Sequence, residues 1–167
     1  MDVIAQFRDQ LPHNPYCTND PKSGLVIRVA NIALTHRHIQ PNQPKKLAWL
    51  IFDVDREGGA FAWEWALLPP PTIAVSNPKN GHAHLFYGLV VPVGLSALSR
   101  DAPIRLAAAI QNAFTIKLKA DPGYAGLISK NPLHGNWKSI FTPALYDLHE
   151  LAEYISLQRN KEKLEVF

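Results

Sequence analysis

The sequence of 167 residues contains a single cysteine, Cys17. One cysteine excludes an internal disulfide framework and a cysteine-based zinc site, and it is compatible with a reducing compartment. Long apolar runs are also missing, since charge or proline interrupts each one before the roughly 20 residues that a membrane span needs. The N-terminal MDVIAQFRDQ lacks the basic and then apolar pattern of a signal peptide. We therefore expect a cytoplasmic protein that makes no membrane contact.

The sequence also lacks a strong excess of charge of one sign. The chain has 17 basic and 14 acidic residues, and its net charge of +3 is too small to indicate nucleic-acid binding by itself. A hydrophobic content of 47% with 19% charged residues is typical of a globular protein that buries a core. The length suits one domain, and we predict a single domain over residues 1–167.

The pattern of apolar residues predicts a mixed α/β or α+β domain in which helices flank a sheet. Asn31 is predicted to cap a helix, and Asp147 with Glu150 forms a capping box for the last helix. The NPKNG turn is predicted to join two strands into a hairpin. The predicted helices cover 2–11, 31–40, 101–119 and a segment after Asp147, and the predicted strands cover 24–30, 47–56, 72–76 and 82–93, with a loop over 11–24.

The stretch LAWLIFDVDR, residues 47–56, carries the strongest chemical signal. A short apolar run between turn-rich segments is typical of a buried strand. Side chains alternate across a strand, so Asp53 and Asp55 share a face. Two neighbouring carboxylates need a cation between them, and they suit Mg²⁺ or Mn²⁺ in phosphoryl or nucleotidyl transfer. The alternative is that they only cap the strand and pair with Arg56.

A second strand repeats this spacing with two histidines, His82 and His84, on one face. Such a pair suits a transition metal or a hydrogen bond to a triphosphate, although structural histidines are also common. Asp121 heads the turn-forming DPGYAG, and its interest depends on whether that turn lies near Asp53. Lys130 is a further candidate for contacts with phosphate.

Three strings, FDVDREG, NPKNGHAHLFYGL and ADPGYAGLISKNPLHGNW, occur in this order in the chain. Together they resemble the ColE2-type plasmid replication initiators, the Rep or replicase family, whose N-terminal domain belongs to the archaeo-eukaryotic primase superfamily. The opening FRDQLPHNPYCTND and the late DLHELAEYI also look like that family. The resemblance therefore covers nearly the whole chain.

The resemblance implies a primase-polymerase core built on an RRM-like sheet. Carried over onto this sequence, Asp53 and Asp55 match the family's acidic pair, and His84 matches its active-site histidine. The resemblance also implies a third acid, which we assign to Asp121. The three aspartates would hold two Mg²⁺ or Mn²⁺ ions. The side chains that we expect to contact the nucleotide are His84, His82, Lys79, Lys130 and Asn131.

The same resemblance implies partners. We expect a single-stranded or origin DNA template, nucleoside triphosphates, and a host DNA polymerase that acts after primer synthesis. Members of the family carry a C-terminal DNA-binding region after the primase core. This chain stops at Phe167, so we expect that region to be absent from it.

Two other functions stay open from the sequence. A rolling-circle nuclease of the histidine-hydrophobic-histidine kind would use His82 and His84 for its metal and a tyrosine nucleophile such as Tyr124 or Tyr154. A non-catalytic nucleic-acid-binding module would need exposed aromatic side chains on the sheet face where the carboxylates are predicted.

Overall fold

Two antiparallel four-stranded sheets and the helices around them make up the fold. The computed structural model describes residues 2–155. The strands are β1 (Tyr16–Thr18), β2 (Val26–Ile27), β3 (His38–Ile39), β4 (Lys46–Val54), β5 (Ile73–Ser76), β6 (Ala83–Gly94), β7 (Ser129–Lys130) and β8 (Lys138–Phe141). The helices are α1 (Val3–Asp9), α2 (Ala30–Ala33), α3 (Ala62–Trp65), α4 (Asp101–Leu118) and the helical residues 148–155, here α5.

The larger sheet has the strand order β4-β6-β5-β8 and the smaller one has the order β2-β1-β3-β7. In the larger sheet Asp53 of β4 stands directly opposite His84 of β6. The predicted hairpin is confirmed, because β5 and β6 pair antiparallel around a turn in which the Gly81 N–H donates to the Asn77 carbonyl at 2.8 Å. The acidic strand and the histidine strand are thus nearest neighbours.

Side-chain alternation along β4 separates two apolar cores. Leu50 and Phe52 point to the core that contains α4, whereas Trp49 and Ile51 point to the core that contains α1 and the smaller sheet. Asp53 follows Trp49 and Ile51 on the same face. The carboxylate therefore emerges where an apolar row ends between the two sheets.

Strand β4 lies at an edge of the larger sheet and is irregular between Leu47 and Trp49. The Asn42 side chain covers this irregularity. Its Oδ1 accepts from the N–H groups of Ala48 and Trp49 at 2.9 Å each, and its Nδ2 donates to the Trp49 carbonyl at 2.9 Å. One side chain thus satisfies three backbone groups that lack a partner strand.

The predictions for the segment before β4 were wrong in part. Residues 31–40 do not form one helix, since α2 ends at Ala33 and has Val29, not Asn31, at its N-cap. His38 lies instead in β3, which pairs with β1 and β7. The predicted loop over 11–24 contains β1, and the predicted strand over 24–30 shrinks to β2. These strands depend on partners distant in sequence, which local patterns do not show.

The helices after β6 agree with the sequence. The predicted helix over 101–119 is α4, which ends at Leu118 with Lys119 as its left-handed C-cap. The capping box is also confirmed, since Asp147 Oδ1 accepts from the Glu150 N–H at 2.8 Å and Glu150 Oε1 accepts from the Asp147 N–H at 3.3 Å. Within residues 2–155 no helix has the length and apolar content needed to cross a membrane.

Candidate functional site

Three carboxylates meet where β4 ends beside the hairpin turn. Asp53 belongs to β4, Asp55 follows it, and Asp121 lies in the loop after α4. The backbone N–H of Asp121 donates to the Asp53 carbonyl at 2.8 Å, which fastens that loop to the strand. One carboxylate oxygen from each aspartate lies within 4.8 Å of the others. The structure therefore brings the acidic pair together with the turn residue whose position the sequence left open.

The donor set of this cluster fits a divalent cation. The Oδ1 atom of Asp53 is buried and faces Nε2 of His84 at 3.4 Å, whereas Asp55 and Asp121 are exposed to solvent. A partly buried carboxylate next to two further carboxylates is costly unless a cation neutralises their charge. Carboxylate oxygens are also the ligands that Mg²⁺ and Mn²⁺ take in proteins. The arrangement suits a hard metal ion that enters from the solvent side.

The two aspartates of the pair have shifted pKa values of opposite sign. Burial raises the pKa of Asp53, but the adjoining His84 ring, with smaller effects from Asp55 and Lys130, outweighs it and leaves the pKa below its ordinary value. Burial and the negative charge of Asp53 raise the pKa of Asp55, and His82 opposes that rise. The shift at Asp55 shows the like-charge repulsion that a bound cation would relieve.

His84 stands between the two sheets and is 6% exposed. Its Nδ1 accepts from the backbone N–H of Lys130 in β7 at 2.8 Å, and its Nε2 lies 3.4 Å from Asp53 Oδ1. Burial lowers the pKa of His84, and the Lys130 charge lowers it further, while Asp53 acts in the other direction. In the neutral ring the hydrogen is therefore on Nε2, the nitrogen that faces the carboxylates.

Tyr124 covers the His84 ring. The two rings are stacked, with centroids 5.1 Å apart and planes inclined by 21°. The Tyr124 hydroxyl donates to the Ile128 carbonyl at 2.7 Å, and burial raises the pKa of this phenol. Tyr124 therefore holds the histidine in place. The sequence named Tyr124 only as an alternative nucleophile and missed this contact.

Positive charge lies on the side of the site formed by β3 and β7. Burial lowers the pKa of Lys130, although Asp53 and Asp55 act to raise it. The Nζ atom of Lys130 lies 5.6 Å from the centre of the Trp137 ring.

His38 stands opposite Lys130 on the neighbouring strand. Burial and the charge of Lys130 lower the pKa of His38 to about 4. The sequence missed His38 because it lay within a predicted helix.

The three remaining residues that we predicted to contact the nucleotide are His82, Lys79 and Asn131, and they have different surroundings. His82 Nδ1 is 3.7 Å from Asp55 Oδ1, so this histidine belongs to the site. Lys79 is exposed in the hairpin turn, where its N–H donates to Asn77 Oδ1 at 2.9 Å. Asn131 is fully buried, and its amide donates to the carbonyls of Leu34 and His36 at 2.9 Å each. Because its side chain is enclosed by these bonds, we leave Asn131 out of the nucleotide contacts.

Glycines let the loop after Asp55 approach the hairpin turn closely. A Cβ atom on Gly59 would lie 2.9 Å from the Val54 carbonyl oxygen and 3.1 Å from both the Ala83 nitrogen and the Gly81 carbonyl oxygen. The Gly59 N–H donates to that Gly81 carbonyl at 3.1 Å. The contact fixes the loop of Asp55 against the turn that precedes His82.

The two alternative functions find no geometric support. The histidine-pair nuclease requires both histidines to bind one metal, but His84 is engaged at Nδ1 and each histidine faces a different aspartate. A binding module would need exposed aromatic rings on the face of Asp53. Trp49 on the strand of Asp53 and Phe86 on the neighbouring strand β6, opposite Ile51, are both fully buried.

Comparisons with known proteins identify the family and the fold. The Replicase family matches residues 10–155 of the chain. Among solved structures, the chain is similar to the archaeo-eukaryotic primase (AEP) domain of the cyanophage S-2L primase-polymerase, with a TM-score of 0.61 and 11% sequence identity. The likeness covers 91% of this chain and 94% of that domain, and it confirms the predicted fold class. No curated protein matches the chain.

Proposed function

The chain belongs to the Replicase family, and on that basis we propose that it is the primase domain of a plasmid replication initiator. It would join nucleoside triphosphates into a short primer on a single-stranded or origin DNA template in the cytoplasm, and a host DNA polymerase would then extend that primer. Residues 1–167 would form one catalytic domain. The observation that carries the proposal is the convergence of three carboxylate oxygens within 4.8 Å beside a buried histidine.

In this proposal Asp53, Asp55 and Asp121 hold two Mg²⁺ or Mn²⁺ ions. When bound, such ions neutralise charge on the attacking and leaving oxygens of nucleotidyl transfer. Asp53 is held in β4 and Asp121 is fastened to it by a backbone hydrogen bond, so their carboxylates are positioned before any ligand arrives. Positioning of this kind lowers the cost of assembling a charged site.

Next to the carboxylates, His84 provides a hydrogen-bond donor and Lys130 provides a positive charge. The Lys130 N–H occupies Nδ1 of His84 and fixes the ring, so the Nε2–H lies 3.4 Å from Asp53 Oδ1 among the carboxylates, where a phosphate oxygen of the nucleotide would also accept from it. The Lys130 ammonium group adds a charge that is partly shielded from water, where it acts more strongly than at an open surface. We propose that these two groups bind the triphosphate of the incoming nucleotide. His82, on the rim beside Asp55, is a further contact.

Primer synthesis on a single-stranded template with labelled nucleotides and Mg²⁺ or Mn²⁺ tests the proposal. Asp55→Asn is the sharper variant, because Asp55 is exposed and the change leaves the core intact. We expect it to keep the wild-type unfolding transition and to lose at least about a hundredfold in synthesis, as when a charge-stabilising group is removed. Asp53→Asn should lose synthesis in the same way.

Asp9→Asn is the matched control, since Asp9 is an exposed carboxylate in α1. It should synthesise primers at the wild-type rate. Near-normal synthesis by a folded Asp55→Asn or Asp53→Asn protein, in either metal, would contradict the proposed site.

A further inference from the structure

A cationic cleft lies beside the three aspartates. Its volume is about 460 Å³, within the usual range of ligand-binding clefts. Arg56, Lys117 and Lys119 line it together with Trp65, and Glu57 is the one acidic residue among the lining residues. Such a surface attracts polyanions.

The aromatic wall of this cleft is unusually open to solvent. Trp65 is 89% exposed, and Phe61 and Leu67 of the same segment are 50% and 70% exposed. A tryptophan that is 89% exposed contributes little burial energy to the fold. Its flat face is instead available for stacking on another ring.

The backbone takes the left-handed conformation at one residue of the cleft, Lys119, and at Leu67, which follows the cleft residue Ala66. Leu67 and Lys119 have φ angles of 57° and 51°, in the left-handed region that residues with side chains seldom adopt. The Arg56 side chain ties the two sides together, since its Nη1 donates to the Lys119 carbonyl at 3.1 Å. The conformation of Lys119 is that of an ordinary left-handed helix C-cap, and it follows from the end of α4.

Chain connectivity places the cleft next to the carboxylates. Arg56 directly follows Asp55, and Lys119 precedes Asp121 by two residues. Consecutive Cα atoms are about 3.8 Å apart, so Arg56 and Lys119 are attached to the backbone close to Asp55 and Asp121. A sugar-phosphate strand has the matching chemistry, with anionic phosphates for the cations and bases for the tryptophan.

We propose that this cleft binds a single strand of nucleic acid, with phosphates on Arg56 and Lys119 and a base stacked on Trp65. The role of the bound strand rests on the proposed function: the cleft would lead the template or the growing primer to the aspartates. Lys117 lies on the same wall, where its Nζ donates to the Tyr154 carbonyl at 2.8 Å. The binding itself needs neither nucleotide nor metal.

Fluorescence anisotropy of a labelled oligo(dT) of about 12 nucleotides, titrated with the whole chain in EDTA, measures this binding directly. Loss of one stacked base weakens binding by roughly fivefold or more, so Trp65→Ala should raise the Kd by that factor while Trp65→Phe stays close to wild type. Lys119→Gln should reduce the slope of log affinity against log salt by about 0.7, the value for one phosphate contact on a single strand.

Matched controls lie elsewhere on the surface. Leu98→Ala removes an apolar side chain that is 98% exposed, and Lys46→Gln removes an exposed lysine at the start of β4. Both should bind oligo(dT) as the wild type does. A parallel titration with oligo(U) compares the two sources of a strand, since tighter binding of DNA assigns the cleft to the template and tighter binding of RNA assigns it to the primer.

The outcomes separate this proposal from the proposed function. If folded Trp65→Ala and Lys119→Gln proteins bind both oligonucleotides with wild-type affinity and salt slope, the cleft proposal is overturned, whatever the synthesis assay shows. If the Trp65 and Lys119 effects appear in a protein that synthesises no primer, the cleft proposal stands and the proposed function fails.

Discussion

The backbone N–H of Lys130 donates to Nδ1 of His84 across the junction of the two sheets, at 2.8 Å. Lys130 belongs to β7 of the smaller sheet, and His84 belongs to β6 of the larger one. The bond leaves the hydrogen of the neutral ring on Nε2, which faces Asp53. The smaller sheet thus sets the orientation of the histidine, although all three aspartates lie outside it.

Two substitutions of His84 separate this bond from catalysis. His84→Phe leaves the Lys130 N–H buried without an acceptor, which costs roughly 1–3 kcal/mol. His84→Asn keeps an acceptor at a similar distance from the backbone and should lose less stability. Both variants lack the Nε2 donor and should lose primer synthesis. Urea unfolding at neutral pH measures the difference, and equal stabilities for the two variants would argue against the bond between the sheets.

Divalent metal should stabilise the folded chain through the aspartate cluster. A ligand that binds only the folded state at 100 times its Kd adds about 2.7 kcal/mol, so Mn²⁺ or Mg²⁺ should raise the Tm of the wild type. Asp121→Asn removes one of the three carboxylates and should reduce that rise. Thermal unfolding with EDTA and with each metal gives the measurement. The same metal-induced rise in Asp121→Asn would remove Asp121 from the ligand set.

His38 should make the fold sensitive to mild acid. Its pKa falls from 6.5 to about 4 in the folded chain, chiefly through burial. Between these values the unfolded chain binds a proton that the folded chain does not. The contribution of His38 to stability is therefore complete above its unfolded pKa and is lost as the pH falls toward 4, by at most about 3 kcal/mol.

Urea unfolding at about pH 7 and about pH 5 tests this dependence. The wild type should be less stable at the lower pH, and His38→Gln, which does not titrate, should lose less stability between the two conditions. Part of the dependence should remain, because burial lowers the pKa of His84 in the same direction. An unchanged difference between the two pH values in His38→Gln would show that His38 is not the group responsible.

Gly59→Ala should disturb the site through packing alone. The added Cβ would lie 2.9 to 3.1 Å from backbone atoms of Val54, Ala83 and Gly81, which cannot move independently of their strands. Overpacking of this kind costs about 1–3 kcal/mol, and it should also displace Asp55 and lower primer synthesis. Gly135→Ala is the matched control, because nothing lies within 4 Å of its Cβ position. If the two alanine variants are equally stable and active, the close approach has no role.

The elements that the sequence predicted are those with strong local signals. A few consecutive residues are enough to predict each of these elements. They are the apolar run before Asp53, the Asn-Gly turn before His82 and the capping box of Asp147. These elements also place the acidic pair and His84, so that part of the site followed from the sequence and the family resemblance together.

The remainder depends on contacts that no local pattern reports. His38 lies in a strand only because β1 and β7 flank it, and the sequence around it favoured a helix. Asp121 reaches the cluster through a backbone hydrogen bond to Asp53 across 68 positions of the chain. Backbone pairing of that range is independent of side-chain identity, so the residue types near Asp121 gave no sign of it.

The loop that carries Asp121 has a second consequence, for association between copies of the chain. Strand β4 is a sheet edge, and an open edge is a template on which a strand of another molecule can add. Asn42 occupies the N–H groups of Ala48 and Trp49, and the Asp121 N–H occupies the Asp53 carbonyl. The same loop that completes the acidic cluster therefore occupies part of this edge, which leaves fewer of its backbone groups open to a strand of another molecule.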